Sequence, residues 1–347
     1  MATANRTRRS PRPNARLAPF ASCAALLAVS TAACSGEHPQ SIVHPRGPAA
    51  AAIGGLWWFL AALVLSVFVV TMVLLLAALR RSRAETPGAE TPADEPPLGS
   101  TRFVVTAGLI VPGLVLIGLL FASLGATVAL RQPDQAFTTV RIVGHQWWWH
   151  VEYPDYGIVT ANELHLPVGE VVRLELEAND VVHSLWVPSL AGKMDMLPER
   201  RNVFWLAADE AGVYRGQCTE FCGVQHARMA LEVVALERPD FDAWVARHRN
   251  VPQAPATELA RRGEALFFSA GCAACHAVAG TPAAGRLGPD LTHLRHRRTL
   301  AAATVANTAA MLARWIRGSI KPGNLMPPSP LADDELAALV AWLLERE

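Results

Sequence analysis

The chain has 347 residues with 31 Lys plus Arg against 30 Asp plus Glu, a formal charge of +1 that excludes a strongly basic nucleic-acid-binding protein. Hydrophobic residues make up 51% and charged residues only 18%, which excludes a disordered chain and argues against a wholly soluble one. Charge is also uneven: 10 basic to 5 acidic over 1–102, none over 103–130, 11 to 17 over 131–250 and 10 to 8 over 251–347, so these stretches meet different surroundings.

Residues 1–33 have the three parts of an export signal: Arg6, Arg8, Arg9, Arg12 and Arg16, then an apolar stretch from Leu17 to Val29, then small residues. Thr31-Ala32-Ala33-Cys34 resembles a lipoprotein cleavage box with Thr31 where Leu is usual. Two readings of Cys34 follow, a lipid anchor or a cysteine in an ordinary signal peptide. Leu56 to Leu79 is uncharged over 24 residues and Phe103 to Leu130 over 28, each long enough for a ~30 Å hydrocarbon core. Neither has a polar face, so both are expected to span a membrane (56–79 and 103–130). Arg80, Arg81, Arg83 and Arg102 flank the Pro-rich loop 80–102 and put it in the cytoplasm, with everything after Arg131 outside. Trp57 and Trp58 suit an interfacial belt.

Beyond the membrane the period changes. Val172-Arg173-Leu174-Glu175-Leu176-Glu177 alternates apolar and charged residues as a half-buried strand does. Further strands are expected at Thr139 to Tyr153, Ser184 to Val187, Asn202 to Ala207, Gly212 to Gly216 and Met229 to Leu236, giving an all-β sandwich or barrel over 131–250. Phe241 to Arg249 reads as a closing helix and 251–256, with Pro252 and Pro255, as a linker. From Thr257 to the end the Ala, Leu and Arg spacing is that of a small all-α domain, 257–347, whose last helix begins near Leu331.

With Cys23 and Cys34 set aside, four cysteines remain in two pairs. Cys218, Cys222, His226 and Met229 fall within twelve residues, and His183 in a strand offers a second imidazole. Thiolate, thioether and imidazole together favour copper, and two thiolates could bridge two ions, each completed by one His and one weak ligand, Met229 sulfur or a carbonyl near Glu220. A tetrahedral zinc site and a Cys218–Cys222 disulfide are the competing readings. Cys272-Ala273-Ala274-Cys275-His276 is the attachment signature of haem c, with His276 as proximal ligand. Met326, on a Pro-rich loop, is the expected sixth ligand; Met311, in an Ala-rich helix, is expected in the core. No residue set offers a general base, a nucleophile or an open metal position.

Two spans, a β domain with Gly144-His145-Gln146-Trp147-Trp148-Trp149, His183 and the Cys218 to Met229 string, then a haem c domain: this order resembles subunit II of a bacterial cytochrome c oxidase with a fused cytochrome c tail, as in caa-type haem-copper oxidases. The resemblance implies a two-helix transmembrane hairpin, a cupredoxin-like domain and an all-α class I cytochrome c domain. It implies a binuclear CuA centre on His183, Cys218, Cys222, His226, Met229 and the Glu220 carbonyl, and a magnesium ion reached by the Glu220 side chain where subunit I makes contact. Trp147 matches the aromatic through which electrons reach CuA. Its two neighbours read as structural.

In that family an outside donor, a cytochrome c or a bc complex, reduces the haem. The haem reduces CuA, and CuA reduces a haem in subunit I, where oxygen is reduced to water. Subunits I and III are the implied partners, and the bacterial inner membrane, with both outer domains on the periplasmic side, is the implied location. A nitric oxide reductase with CuA, a copper-carrying membrane protein without electron throughput and a nitrous oxide reductase fragment share parts of the pattern; the two spans count against the last. The chain departs from the family where Glu199 stands between Pro198 and Arg200 in place of a common Gly, so that turn is expected to differ. It also lacks the Glu often found just before the second span. The acid excess of the copper domain and the mild basicity of the tail fit two readings equally, docking of one on the other or two ordinary solvated surfaces.

Overall fold

The computed structural model describes residues 40–84, 98–130, 136–318, 320–321 and 323–346. The export signal, Cys34, most of the 80–102 loop and Arg131 lie outside the described residues. Two long apolar helices open the described chain. Helix α1 spans Pro48–Ala84, beginning well before the apolar run because Pro48 suits a first helical turn and the Ala-rich stretch after it continues the helix. The second is α2 (Leu98–Val105), a π-helical turn (Thr106–Ile110) and α3 (Val111–Ala129). Both are long and apolar enough to cross a membrane, and none of their most apolar stretch is covered by the rest of the protein.

Ten strands follow: β1 (Thr138–His145), β2 (Trp148–Tyr153), β3 (Ile158–Ala161), β4 (Glu163–Pro167), β5 (Val172–Ala178), β6 (His183–Trp186), β7 (Lys193–Met196), β8 (Asn202–Leu206), β9 (Gly212–Cys218) and β10 (Ala230–Leu236). They form two five-stranded sheets, ordered β3-β2-β1-β5-β8 and β4-β10-β9-β6-β7. Strands β1 and β5 alternate buried and half-buried positions throughout, so one face of each supplies Val140, Ile142, Leu174 and Leu176 to a core shared between the sheets. The single strand expected over Thr139 to Tyr153 is in fact a hairpin. The chain reverses at Gln146-Trp147, and β1 and β2 then pair from His145↔Trp148 to Arg141↔Glu152. Three short strands, β3, β4 and β7, carry no clean alternation and were not expected; β4 is buried along its whole length. Glu199 sits at φ 59°, the left-handed conformation that Gly takes without strain and that costs a side-chain-bearing residue ~1 kcal/mol.

Helix α4 (Arg238–His248) packs Phe241, Trp244 and Val245 under the sandwich. The last domain begins at Thr257, whose hydroxyl caps α5 (Glu258–Ser269) by accepting the Ala260 N–H. A small hairpin of β11 (Thr299–Leu300) and β12 (Val305–Ala306) precedes α6 (Ala309–Ile316) and α7 (Asp333–Glu345). Helices α5 and α7 cross at Phe267 and Trp342, whose ring centroids are 4.8 Å apart, and Leu312, Ile316, Leu336 and Leu339 complete that core. Met311 and Met326 both flank it, half-buried. The fold class is therefore the expected one: helical spans, a cupredoxin-like β domain and a helical terminal domain.

Candidate functional site

Strand pairing assembles the first site. Leu185 of β6 lies opposite Cys218 of β9, Thr219 N–H donates to Ser184 O and Cys218 N–H to Met229 O, so the start of β6, the end of β9 and the 219–229 loop meet at one end of the sandwich. The ligand atoms of His183, Cys218 and Cys222 all lie within 4.8 Å of one another, and all three residues are buried. The two sulfurs are 3.8 Å apart, beyond the ~2 Å of a disulfide, and both cysteines are free thiols. Cys218 Sγ is 3.9 Å from His183 Nδ1 and 3.2 Å from the Glu220 carbonyl oxygen. Cys222 Sγ is 3.6 Å from His226 Nδ1 and 3.8 Å from Met229 Sδ. The residues expected from the sequence to hold copper are thus in one cluster.

The donor set suits copper better than zinc. Two sulfurs and two imidazoles would complete one tetrahedral ion, but here a thioether and a carbonyl add two weak donors, one beside each thiol, more than one tetrahedral ion takes. The hydrogen bond with Cys222 pulls Cys218 far below the ordinary thiol range, whereas Cys222 is pushed up by that same bond and by burial. Burial opposes the charged form of His183, but its bonds to Asp180 and Cys218 outweigh this and raise it.

The sequence pattern did not reveal the groups that aim these ligands. His183 Nε2 lies 2.8 Å from Asp180 Oδ1, which leaves Nδ1 facing the sulfurs. The Asp180 carboxylate also accepts Gln146 N–H at 2.7 Å; these bonds hold it below the usual range although burial opposes them. Gly144 is needed because a Cβ there would lie 2.8 Å from His183 Cδ2. Trp147 is buried, and its indole N–H donates to the Cys222 carbonyl at 3.0 Å, joined there by Gln146 Nε2 at 2.7 Å. The Glu220 side chain is half exposed, 3.6 Å from Lys193 Nζ.

The second site is in the helical domain. Cys272 opens a 3-10 turn, Cys272–Ala274, that Cys275 closes as its C-cap, and both thiols are free. His276 Nδ1–H donates to Pro289 O at 2.7 Å, so Nε2 carries the lone pair a metal would need; burial keeps the ring neutral by lowering its pKa against that hydrogen bond. Gly288 is another close approach: a Cβ there would be 2.4 Å from His276 Cε1. Arg297 is buried within electrostatic reach of His276 and has an unpartnered Nε, an orphaned donor suited to a propionate carboxylate. The free thiol pair, the aimed imidazole and this orphan together fit a covalent haem.

The family described as Cytochrome C oxidase subunit II, periplasmic domain, matches residues 157–236, and Cytochrome c matches residues 260–347. Cytochrome c oxidase subunit 2 of Alkalihalophilus pseudofirmus is 41% identical over 207 residues, 59% of this chain and 60% of that one. The protein of the same name from Bacillus sp. strain PS3 is 37% identical over 228 residues, 62% of this chain and 64% of that one. The chain spans about three fifths of the length of these curated relatives. The crystal structure of the periplasmic domain of subunit II of cytochrome oxidase of Bradyrhizobium japonicum covers 34% of this chain and 97% of that chain at 30% identity, with a TM-score of 0.33. A cytochrome c domain implies haem c, and a subunit II domain implies copper. The chain thus joins a region similar to the cytochrome c oxidase subunit II periplasmic domain to a region similar to cytochrome c.

Proposed function

We propose that this chain is the subunit through which electrons enter a respiratory terminal oxidase. The observation that carries the reading is the convergence of five soft or imidazole donors, His183, Cys218, Cys222, His226 and Met229, with the Glu220 carbonyl, in a chain that also holds an aimed His276 behind a haem-attachment pair. The chemistry that haem c and a binuclear CuA centre supply when bound is reversible one-electron transfer, directed to a haem in subunit I where oxygen is reduced to water.

The chain's own residues bind and orient these groups. Cys218 and Cys222 would hold the copper through their thiolates, His183 and His226 through their imidazoles, and Met229 and the Glu220 carbonyl would act as weak donors. Asp180 sets the His183 tautomer, and Trp147 with Gln146 holds the Cys222 backbone while keeping water away. On the haem side Cys272 and Cys275 would provide the covalent attachment and His276 and Met326 would hold the iron, a pair that favours electron transfer over oxygen binding. The Glu220 carboxylate is offered to a magnesium ion at the contact with subunit I. Helices α1 and α2–α3 hold the chain in the bacterial inner membrane with both domains on the periplasmic side. Subunits I and III are the partners, and a cytochrome c or bc complex is the donor.

Metal analysis of the purified full chain tests the reading: two coppers and one iron per chain are expected, with a mixed-valence copper resonance. Zinc or a cystine at Cys218 and Cys222 overturns it. Oxygen uptake by the complex that contains this chain is the second arm, and consumption of nitric oxide in its place would assign the chain to a nitric oxide reductase.

A further inference from the structure

The helical domain rests on the β domain through a seam with hydrogen bonds at both ends. At one end Glu163, buried on β4, accepts the backbone N–H groups of Arg298 and Thr299 at 2.5 and 3.2 Å, and Arg298 Nε donates to Glu232 at 3.1 Å. In the middle Arg215 Nη1 donates to Ala303 O at 3.1 Å and Ala230 N–H to Ala302 O at 3.3 Å. At the other end stands Lys321, only 3% exposed. Its Nζ donates to Arg228 O at 2.9 Å and to Ala301 O at 3.4 Å, one acceptor from each domain. Arg228 returns a bond, Nη1 to Ile320 O at 3.3 Å, and Gly323 packs against Val224 and Gln225.

A lysine is almost never fully buried without partners, because its ammonium leaves water at a cost that only well-placed acceptors offset. The nearer of the two acceptors, the Arg228 carbonyl, is within reach only while the domains are docked. Lys321 lies five residues before Met326, and Arg228 is the residue before Met229. The clip therefore joins the segment carrying the expected haem ligand to the segment carrying the expected copper ligands. Burial lowers the Lys321 pKa to about 8, which leaves it cationic at neutral pH.

We propose that Lys321 is a positioning residue that clamps the Met326 loop onto the 222–229 loop, so that the helical domain sits on the β domain in one fixed pose and is not merely tethered by residues 251–256. The clamp rests on the functional reading above only for its purpose, which is to hold the donor and acceptor loops at a constant separation.

The test uses the full chain with its cofactors, comparing wild type, Lys321→Met and Arg228→Ala. Haem absorption and the mixed-valence copper resonance are recorded first; if the wild type lacks them the functional reading fails, while the docking measurement still stands. Amide hydrogen exchange is then followed in 222–229 and 320–326. Loss of charge-assisted bonds predicts exchange roughly tenfold or more faster in both segments of Lys321→Met, with both signatures retained, and a smaller change of the same sign in Arg228→Ala. Electron equilibration between haem and copper after photoinjection should slow alongside. Unchanged exchange in Lys321→Met overturns the proposal. So does a Lys321→Met protein that loses a cofactor while Arg228→Ala exchanges like wild type, since Lys321 would then only support its own loop.

Discussion

Gly263 lies in the interior of α5, where helix propensity alone makes alanine the better residue by ~1 kcal/mol. The crossing with α7 reverses that expectation. A Cβ at position 263 would come 2.0 Å from Ala338 O, 2.6 Å from Ala338 C and 2.8 Å from Trp342 Cβ, all of them parts of α7 that cannot swing aside as a long side chain can. Since ordinary carbon to oxygen contacts are ~3.3 Å, the helices must part by roughly 1.3 Å. That separation would loosen the Phe267 to Trp342 packing at the centre of the domain. Overpacking of this kind costs about 1–3 kcal/mol and more when backbone is the obstacle, so Gly263→Ala should destabilise by ~2 kcal/mol after the propensity gain. For a domain of this size the melting temperature should fall by ~10 °C. Thermal unfolding of the full chain, followed by Soret-region circular dichroism for the helical domain and by the copper absorption for the β domain, separates the two. An unchanged or higher Soret transition would refute the argument, as would an equal fall in both.

Asp180→Asn weakens the group that orients His183, so copper affinity should fall about 10- to 100-fold in competition with a chelator, with haem content unaffected; equal affinity would mean that the ring is aimed by packing alone. Met326→Leu should lower the haem potential in a redox titration, and an unchanged potential would exclude Met326 as ligand. Burial raises Glu163 from 4.5 to about 7, so the folded chain holds that proton more tightly than the unfolded one, and the stability this confers is complete below about pH 4.5 and is lost as pH rises to 7. Glu163→Gln keeps an acceptor for Arg298 and Thr299 without the charge. Its stability relative to wild type should climb across that window to a gain of about 3 kcal/mol above pH 7, whereas a difference independent of pH would show that Glu163 does not titrate there.

Much of the chain could be read without coordinates because the signals are local. A charge-free run long enough for a bilayer, a twofold alternation and a Cys-Ala-Ala-Cys-His string each state their meaning within a few residues, since chain connectivity alone brings those groups together. Hence the spans, the β domain, the haem signature and the Cys218 to Met229 string are all legible, and so is His183 as a second imidazole for the soft donor set. The hairpin at Gln146-Trp147 was missed because apolar residues on both sides of a tight reversal hide the break in alternation. Strands β3, β4 and β7 were missed because they are short, and β4 is buried on every side.

Contacts between residues distant in sequence belong to the tertiary structure alone. Asp180 behind His183, Pro289 behind His276, the demand for glycine at 144, 288 and 263, and the Lys321 bridge between two loops all depend on how sheets, helices and domains approach one another. No period or spacing encodes such an approach, because the free energy that selects it comes from surfaces that meet only after the chain has folded.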